Sequence, residues 1–520
     1  MISFFKKHLD INLIKISSLF ALIHCLLFNS VVYLNKFHYI SSGIVSAILE
    51  IVKDFAYDLT ILFVMFFGLT IYRLLFISGS LLLFITGALA SYYLFFFSIS
   101  PTPSLMPSIY GTNLTEINEL VSARMLVWVI FSISICVYTI NHFKIQISKL
   151  YFNKLLSSIC LVIAISNIIS PKFSYMKTSF PIQYFHNSYE YFFGRTKDHA
   201  RQNIALKYNF SDMSDQEVIG VLVIGEAARY SNFGINGYER DTTPNLSKIN
   251  NLSHFKARSC ASTTFLSVPC MLSRYSEKDI DSVHTETSFL SVLTKLNFET
   301  IWLGSQSITK YYKSRKGGSF YDEVKFSLIP GGSIAMLPNS LDEKILPYFE
   351  QHIQSNNKKF IILHTTGSHW NYSERYPQTF AKFQPDMSHS LKIDAASCDA
   401  VERLNSYDNS ILYTDFFLSS VIDSLKGKNA FVIYSSDHGE SLGENGVLTH
   451  GSHEYVKEQR EVPLMIWFSD SFIKSHPEKF RAIESYKNKE LSHDYIFHTI
   501  LDCLNIDSNI IDKSLSLCHQ

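Results

Sequence analysis

A chain of 520 residues is long enough for two or more domains at the usual ~100–200 residues each. Its 46 basic and 46 acidic residues cancel, so it lacks the basic surplus that nucleic-acid binding requires and no nucleic-acid partner is expected. Apolar residues form long, charge-poor blocks up to about residue 170, whereas beyond about 210 the charge density is that of a soluble globular protein; with 41 Phe and 29 Tyr, this excludes a wholly soluble chain and suits one with membrane-interface anchors.

Five apolar segments, at about 13–34, 59–72, 75–99, 125–140 and 155–169, approach the ~20 residues that cross a bilayer and are read as spans. The second is the shortest, and a buried soluble helix is its alternative. Lys6 and Lys7 precede the first segment as in a signal peptide, but that segment is too long, has no small-residue cleavage site and is followed by further spans, so it reads as retained. Lys6, Lys7, Arg73, Lys144, Lys149 and Lys154 mark cytoplasmic ends, and an odd number of spans puts everything after residue 170 outside the cytoplasm.

Between the third and fourth spans lies PTPSLMPSIYGTNLTEINEL (101–120). Its prolines break a helix and Thr112 to Glu116 start another; Thr112 and Glu116, one turn apart, read as cap and surface residues or as contacts to a lipid headgroup. Residues 171–215 form a connector. Tyr184, Phe185, Tyr189, Tyr191, Phe192 and Phe193, then Arg195, Lys197 and Arg201, suit a helix lying in the membrane interface or one packed on a soluble domain.

From Val218 the pattern changes. VIGVLVIGE, FETIWLG, FIILHTTGSH, FVIYSSDHG and VPLMIWF are near-continuous apolar runs, as expected for central strands of a parallel sheet covered on both faces. The first ends in Glu226, the third in His364 and then His369, and the fourth in Asp437-His438, with His450 a short Gly-punctuated loop further on. Three strands therefore deliver carboxylates and imidazoles to one edge of a sheet, where α/β folds bind ligands and a metal ion finds its donors. Taken alone, Asp437-His438 reads equally well as a helix cap. Cys260 and Cys270, ten apart in an extracytoplasmic segment, suggest a local disulfide. It would hold the hydroxyl cluster Ser262-Thr263-Thr264, any of which spacing allows as a nucleophile once a metal or base activates it, and which equally suits a helix cap. His453 reads as a surface histidine.

The segments GEAARYSNFGINGYERDTTPNL (225–246), SCASTTFLSVPCMLS (259–273), LHTTGSHWNYSERYP (363–377), NSYDNSILYTD (405–415) and SSDHGESLGENGVLTH (435–450) closely resemble the bacterial phosphoethanolamine transferases, relatives of the mobile colistin resistance enzymes. The resemblance runs over nearly the whole chain. It implies an N-terminal α-helical membrane domain of five spans (1–170), the connector (171–215) and a periplasmic α/β/α domain of the alkaline phosphatase and sulfatase type with a mostly parallel central sheet (216–520), in a multi-pass protein of the bacterial inner membrane. It implies Zn2+ held by Glu226, Thr264, Asp437 and His438, with Thr264 the nucleophile that becomes phosphoethanolamine-modified, and His369 and His450 on phosphoryl oxygens or a second metal. Gln306, Ser307 and Lys310 match donor-headgroup positions, although Gln306 stands where many relatives have Asn, and Thr112 and Glu116 fall at a membrane-proximal substrate site. Implied partners are phosphatidylethanolamine as donor, lipopolysaccharide as acceptor and membrane lipids, with no obligate protein partner.

The chain departs from its relatives in cysteine usage: none lies around 306–316 and Cys398 has no nearby partner. This leaves the acceptor open, leaning towards a core sugar or other envelope group rather than lipid A. Cys25, Cys136 and Cys160 are expected to be unpaired, and the pairing of Cys398, Cys503 and Cys518 is open. A true sulfatase would need Arg where Met271 stands. The remaining rivals are a phosphoglycerol transferase acting on an envelope glycan and a catalytically silent membrane-anchored binding protein.

Overall fold

The computed structural model describes residues 10–39, 44–103, 105–111, 117, 121–143, 151–169, 179–194, 202–283, 285–304, 325–328, 341–355, 357–389, 398–452, 455–487 and 489–519. They form two compact units, one of Met1–Met106 and Val121–Thr196 and the other of Pro107–Leu120 and Lys197–Gln520.

The first unit is helical. Helix α1 (Ile11–His24) starts where the Asp10 carboxylate accepts the Asn12 N–H, and runs through a wider turn at Cys25–Asn29 into Ser30–Tyr39. Helices α2 (Ile44–Leu69), α3 (Arg73–Phe97), α4 (Ala123–His142) and α5 (Tyr151–Ile169) follow. Phe20 packs among Phe66, Phe76 and Phe84 at centroid distances of 5.4, 5.2 and 5.9 Å. By length and composition four helices among the described residues can cross a membrane: Ile11–Leu34, Arg73–Phe97, Ala123–His142 and Phe152–Ile169. The second expected span is therefore not reached on that measure. It is a helix much longer than its apolar run, and Glu50, Lys53, Asp54 and Asp58 lie in it before that run begins. Asp58 is buried, accepting from Tyr33 Oη at 2.6 Å and Asn29 Nδ2 at 3.3 Å. The same Asn29 amide pairs with both backbone groups of Phe180, just before helix α6 (Ile182–Tyr189).

The second unit is built on an eight-stranded sheet. Its strands are β1 (Ile219–Gly225), β2 (Leu252–Arg258), β3 (Glu299–Gly304), β4 (Lys325–Leu328), β5 (Lys359–His364), β6 (Ala430–Ser436), β7 (Glu461–Phe468) and β8 (Leu491–Ser492), in the order β8-β2-β7-β6-β1-β5-β3-β4. Strands β6, β1, β5, β3 and β4 are mutually parallel, and every residue of β1, β5 and β6 is buried, which is why these strands read as unbroken apolar runs. VPLMIWF, expected as another parallel strand, runs antiparallel to both β6 and β2. After β6 the chain stays at the same sheet edge and turns straight into β7 from the four-residue helix Lys457–Arg460, with no crossover to restore the parallel direction. The sheet is thus mixed. Helices α7 (Thr264–Leu272) and α9 (Asp494–Cys503) add Val268, Met271, Ile496, Phe497 and Ile500 to a core with Phe289, Phe360 and Phe431, while α8 (Ala400–Leu425) supplies residues behind the site.

Candidate active site and metal centre

The parallel strands β1, β5 and β6 end side by side, and their last residues turn into the site. After Gly225, Glu226 is followed by Ala227 at φ +55°, a left-handed turn held from three directions. Asp437 Oδ1 accepts the Ala227 N–H at 3.2 Å, Tyr407 Oη donates to the Ala227 carbonyl at 2.7 Å, and the same hydroxyl accepts the Arg229 N–H at 2.9 Å. After β5, Gly367 (φ +52°) packs so closely on the Glu226 backbone that a Cβ would lie 2.8 Å from its carbonyl oxygen. Asp342 holds this loop, accepting the N–H groups of Thr366 at 2.7 Å and Gly367 at 2.9 Å. Thr264 opens α7.

Glu226, Thr264, Asp437 and His438 converge, and all are buried. Thr264 Oγ1 donates to Glu226 Oε2 at 3.1 Å and lies 3.3 Å from His438 Nε2, which is 3.2 Å from Glu226 Oε1 and 3.5 Å from Asp437 Oδ2. The ligand atoms of Glu226, Asp437 and His438 all lie within 4.8 Å of one another. His438 Nδ1 is 2.9 Å from the Gly439 carbonyl, which can only accept, so Nδ1 carries the proton and Nε2 faces three oxygens. Such a cluster calls for positive charge at its centre. Burial disfavours the imidazolium, but Asp437 and Glu226 outweigh it and raise His438 above the ordinary range. Burial and then the Glu226 charge push Asp437 up, whereas for Glu226 the effect of burial is overcome by His438, which holds it down. A divalent cation would answer the same demand. Three oxygens and one imidazole nitrogen are a donor set that fits zinc.

His369 and His450 stand beside this cluster, their ring centroids 5.7 Å apart and the His450 centroid 4.2 Å from that of His438. Each has its Nδ1 engaged, His369 on the Trp370 carbonyl and His450 on Glu440 Oε2 at 2.7 Å, so each offers Nε2 to the site. Glu226, His369 and His450 also bring ligand atoms within 4.8 Å of one another. Sequence reasoning assigned no role to Glu440, which is fully buried and takes a second hydrogen bond from Tyr372 Oη at 2.6 Å. Nor did it find Asp342 or Tyr407, which are distant in the chain and carry no spacing signal.

The members of the hydroxyl cluster have different surroundings. Ser262 Oγ donates to the Ser452 carbonyl at 3.2 Å and the Thr263 hydroxyl is buried without a hydrogen bond, whereas Thr264 faces Glu226 and His438. Cys260 and Cys270 form a disulfide, as do Cys503 and Cys518; Cys25, Cys136 and Cys160 are free thiols, and Cys398 Sγ accepts a hydrogen bond from Arg403 Nη1 at 3.5 Å. The Arg460 guanidinium donates to the Ser259 and Cys260 carbonyls, and the Cys260 N–H donates to His493 Nδ1 at 3.3 Å. His493 Nε2 then donates to the Ser436 carbonyl at 3.0 Å, tying the loop that precedes Thr264 to the end of β6, next to Asp437. Gln306, Ser307, Lys310, Thr112, Glu116 and His453 lie outside the described residues.

Burial lowers His493 to about 3 and His498, whose Nδ1 accepts the Asp512 N–H at 3.0 Å, to about 4. Both are neutral in the fold. As pH falls below the ordinary histidine value near 6.5, the unfolded chain takes up protons that the folded chain refuses, so stability present above 6.5 is lost on acidification. Each group costs roughly 2 kcal/mol by pH 5. His498→Asn, which keeps an acceptor for Asp512, is expected to make the fall in thermal midpoint between pH 7 and pH 5 shallower than in the wild type; an unchanged slope would remove His498 from this account.

The sulfatase family profile matches residues 219–506, and the profile for phosphoethanolamine transferase EptA/EptB matches residues 59–191. Among curated relatives, the Kdo(2)-lipid A phosphoethanolamine 7''-transferase of Salmonella typhimurium strain LT2 is 33% identical over 61% of this chain and 57% of its own length. The chain thus matches a little over half of that relative's length. The integral membrane lipooligosaccharide phosphoethanolamine transferase A (EptA) of Neisseria meningitidis has the same fold, with a TM-score of 0.76 at 24% identity over 97% of both chains. The C-terminal periplasmic domain of phosphoethanolamine transferase EptC from Campylobacter jejuni aligns at 29% identity and a TM-score of 0.52, over 61% of this chain and 97% of that one. The chain belongs to the sulfatase family, and its N-terminal region matches the profile of the phosphoethanolamine transferases EptA/EptB.

Proposed function

We propose that the chain is a zinc-dependent enzyme of the bacterial inner membrane that moves phosphoethanolamine from phosphatidylethanolamine to lipopolysaccharide through a covalent intermediate on Thr264. The observation that carries this reading is the Thr264 hydroxyl, placed at a helix start between Glu226 Oε2 and His438 Nε2. Glu226, Thr264, Asp437 and His438 would hold the zinc. Bound there, the ion supplies Lewis acidity that favours the ionised hydroxyl and offsets phosphoryl charge in the transition state.

The chain's own residues account for the rest. Glu226 Oε2 holds the proton of Thr264 Oγ1. As Thr264 Oγ1 forms its bond to phosphorus, the bond from phosphorus to the diacylglycerol oxygen breaks, and that oxygen takes up a proton. His369 and His450, with Nδ1 committed elsewhere, use Nε2 to bind phosphoryl oxygens, to protonate the leaving oxygen or to activate the acceptor. The N-terminal end of α7 favours the anion. Gln306, Ser307 and Lys310 are assigned to the donor headgroup, and Thr112 and Glu116 to the membrane-proximal part of the substrate.

Residues 1–170 are assigned to five spans, 171–215 to the connector and 216–520 to a periplasmic catalytic domain. The 26-residue α2 supports the fifth span: at 1.5 Å per residue it is about 39 Å long, enough to cross a bilayer core of ~30 Å. An odd number of spans also puts the basic N-terminus and the disulfide-bonded domain on opposite sides. The relatives named for Kdo(2)-lipid A support lipopolysaccharide as acceptor, with a core sugar as the favoured position. Sulfate-ester chemistry does not follow from the family, because Met271 stands where that chemistry needs Arg.

The test is to incubate the full-length protein with mass-labelled phosphatidylethanolamine and Kdo(2)-lipid A, with phosphatidylglycerol as a parallel donor. Labelled phosphoethanolamine on the acceptor is expected. Transfer of glycerol phosphate instead would establish the phosphoglycerol reading, and no transfer from either donor would favour a silent binding protein.

A further inference from the structure

His450 sits on an unusual turn. Thr449 has φ +61° and Gly451 φ +88°, so the histidine is flanked by two left-handed residues. The first is β-branched, for which that conformation is rare. Such a turn persists only where its surroundings hold it.

The holding group is Gln459, a fully buried neutral amide. Its Nε2 lies 2.9 Å from the Thr449 carbonyl, 3.0 Å from Ser452 Oγ and 3.2 Å from Ser441 Oγ, and its Oε1 accepts the Ser452 N–H at 3.0 Å. Two backbone groups fix the orientation of the amide, since an N–H can only donate and a carbonyl can only accept. The Gln459 carbonyl also accepts the Gly439 N–H at 2.9 Å, next to His438, and Ser452 receives the hydrogen bond from Ser262 in the nucleophile's loop. A single side chain therefore grips both ends of the His450 turn, and its own backbone and partner reach the two other loops of the site.

We propose that Gln459 is a positioning residue for phosphoryl transfer, acting through His450. Glu440 fixes which His450 nitrogen carries the proton, and Gln459 fixes where the other nitrogen points. The inference rests on the reading of His450 as a group that handles the phosphate or its leaving oxygen. The hydrogen bonds of the Gln459 side chain go to Thr449, Ser452 and Ser441, none of them assigned to zinc.

The test is a double-mutant cycle on the full-length protein with phosphatidylethanolamine as donor and Kdo(2)-lipid A as acceptor, with zinc content and thermal midpoint measured for each variant. Gln459→Met keeps the bulk but makes no comparable hydrogen bonds; Gln459→Glu keeps the shape but opposes a carboxylate to the Thr449 carbonyl. Each is expected to lower kcat by about 10–100-fold, as for other residues that orient a functional group, with KM for the donor and zinc content close to wild type. In a His450→Gln background, itself strongly impaired, Gln459→Met should cost less than about twofold, because a group acting through His450 has nothing left to position. An equal cost in both backgrounds, or loss of zinc in step with activity, would overturn the inference and leave the His450 reading standing. Wild-type turnover in His450→Gln alone would instead remove that reading and this inference with it. Should Gln459→Met fail to fold, the Gln459→Glu cycle decides by the same criteria.

Discussion

Thr264→Ala is expected to abolish phosphoethanolamine transfer, by on the order of 10³-fold or more, because no other hydroxyl occupies its place. Ser262 is turned to Ser452 and the Thr263 hydroxyl is buried without a hydrogen bond. Zinc should still bind, but more weakly, since Glu226, Asp437 and His438 remain and one oxygen donor is lost. Thr264→Ser restores an oxygen at the same helix start and is expected to retain measurable transfer. Turnover and bound zinc measured on the same preparations separate the two losses. Full activity in Thr264→Ala would put the nucleophile elsewhere and would require the hydroxyl loop to rearrange.

Asp437→Asn should cost as much, for a different reason. It keeps the side chain's shape, and an amide oxygen can still accept the Ala227 and His438 N–H groups, but it removes one of the two carboxylates that demand a central cation. Zinc affinity should fall by more than the ~10–100-fold typical of residues outside the ligand set, and transfer should fall with it. Chelation should do the same to the wild type. Without metal, a proton on His438 Nε2 is the charge that sits among these oxygens, because Asp437 and Glu226 raise that imidazole. Zinc binding at pH 7 therefore releases a proton, and apparent affinity weakens as pH falls. Calorimetric titration in buffers of different ionisation enthalpy measures that release. Zinc binding without proton release, or full zinc affinity in Asp437→Asn, would contradict the assignment.

The positions of the site residues were legible because three fully buried parallel strands announce themselves as unbroken apolar runs, and the polar residues just past their ends share one sheet edge. β7 has the same composition as its parallel neighbours, and its reversal shows only in how the chain leaves β6. β2 went unseen because it alternates, burying Phe255 and Ala257 between exposed His254, Lys256 and Arg258. In α2 the charges Glu50, Lys53 and Asp54 concealed a helix that begins fifteen residues before its apolar run at 59–72. Spacing pointed to Cys260 and Cys270, but the pairing of Cys503 with Cys518 required the C-terminal chain to fold back on α9. The supporting shell was least legible. Glu440, Asp342, Gln459 and His493 act through contacts that join loops far apart in sequence, and a single acidic, amide or imidazole side chain carries no periodicity to mark it.

On the proposed function, Thr264 carries the group in transit. Intact-mass and peptide-mass analysis of the full-length protein after exposure to phosphatidylethanolamine, with no acceptor present, measures this directly. The predicted result is a mass increase of one phosphoethanolamine located on Thr264, which disappears when acceptor is added. Unmodified protein under conditions where diacylglycerol is released, or a modification on any other residue, would contradict it.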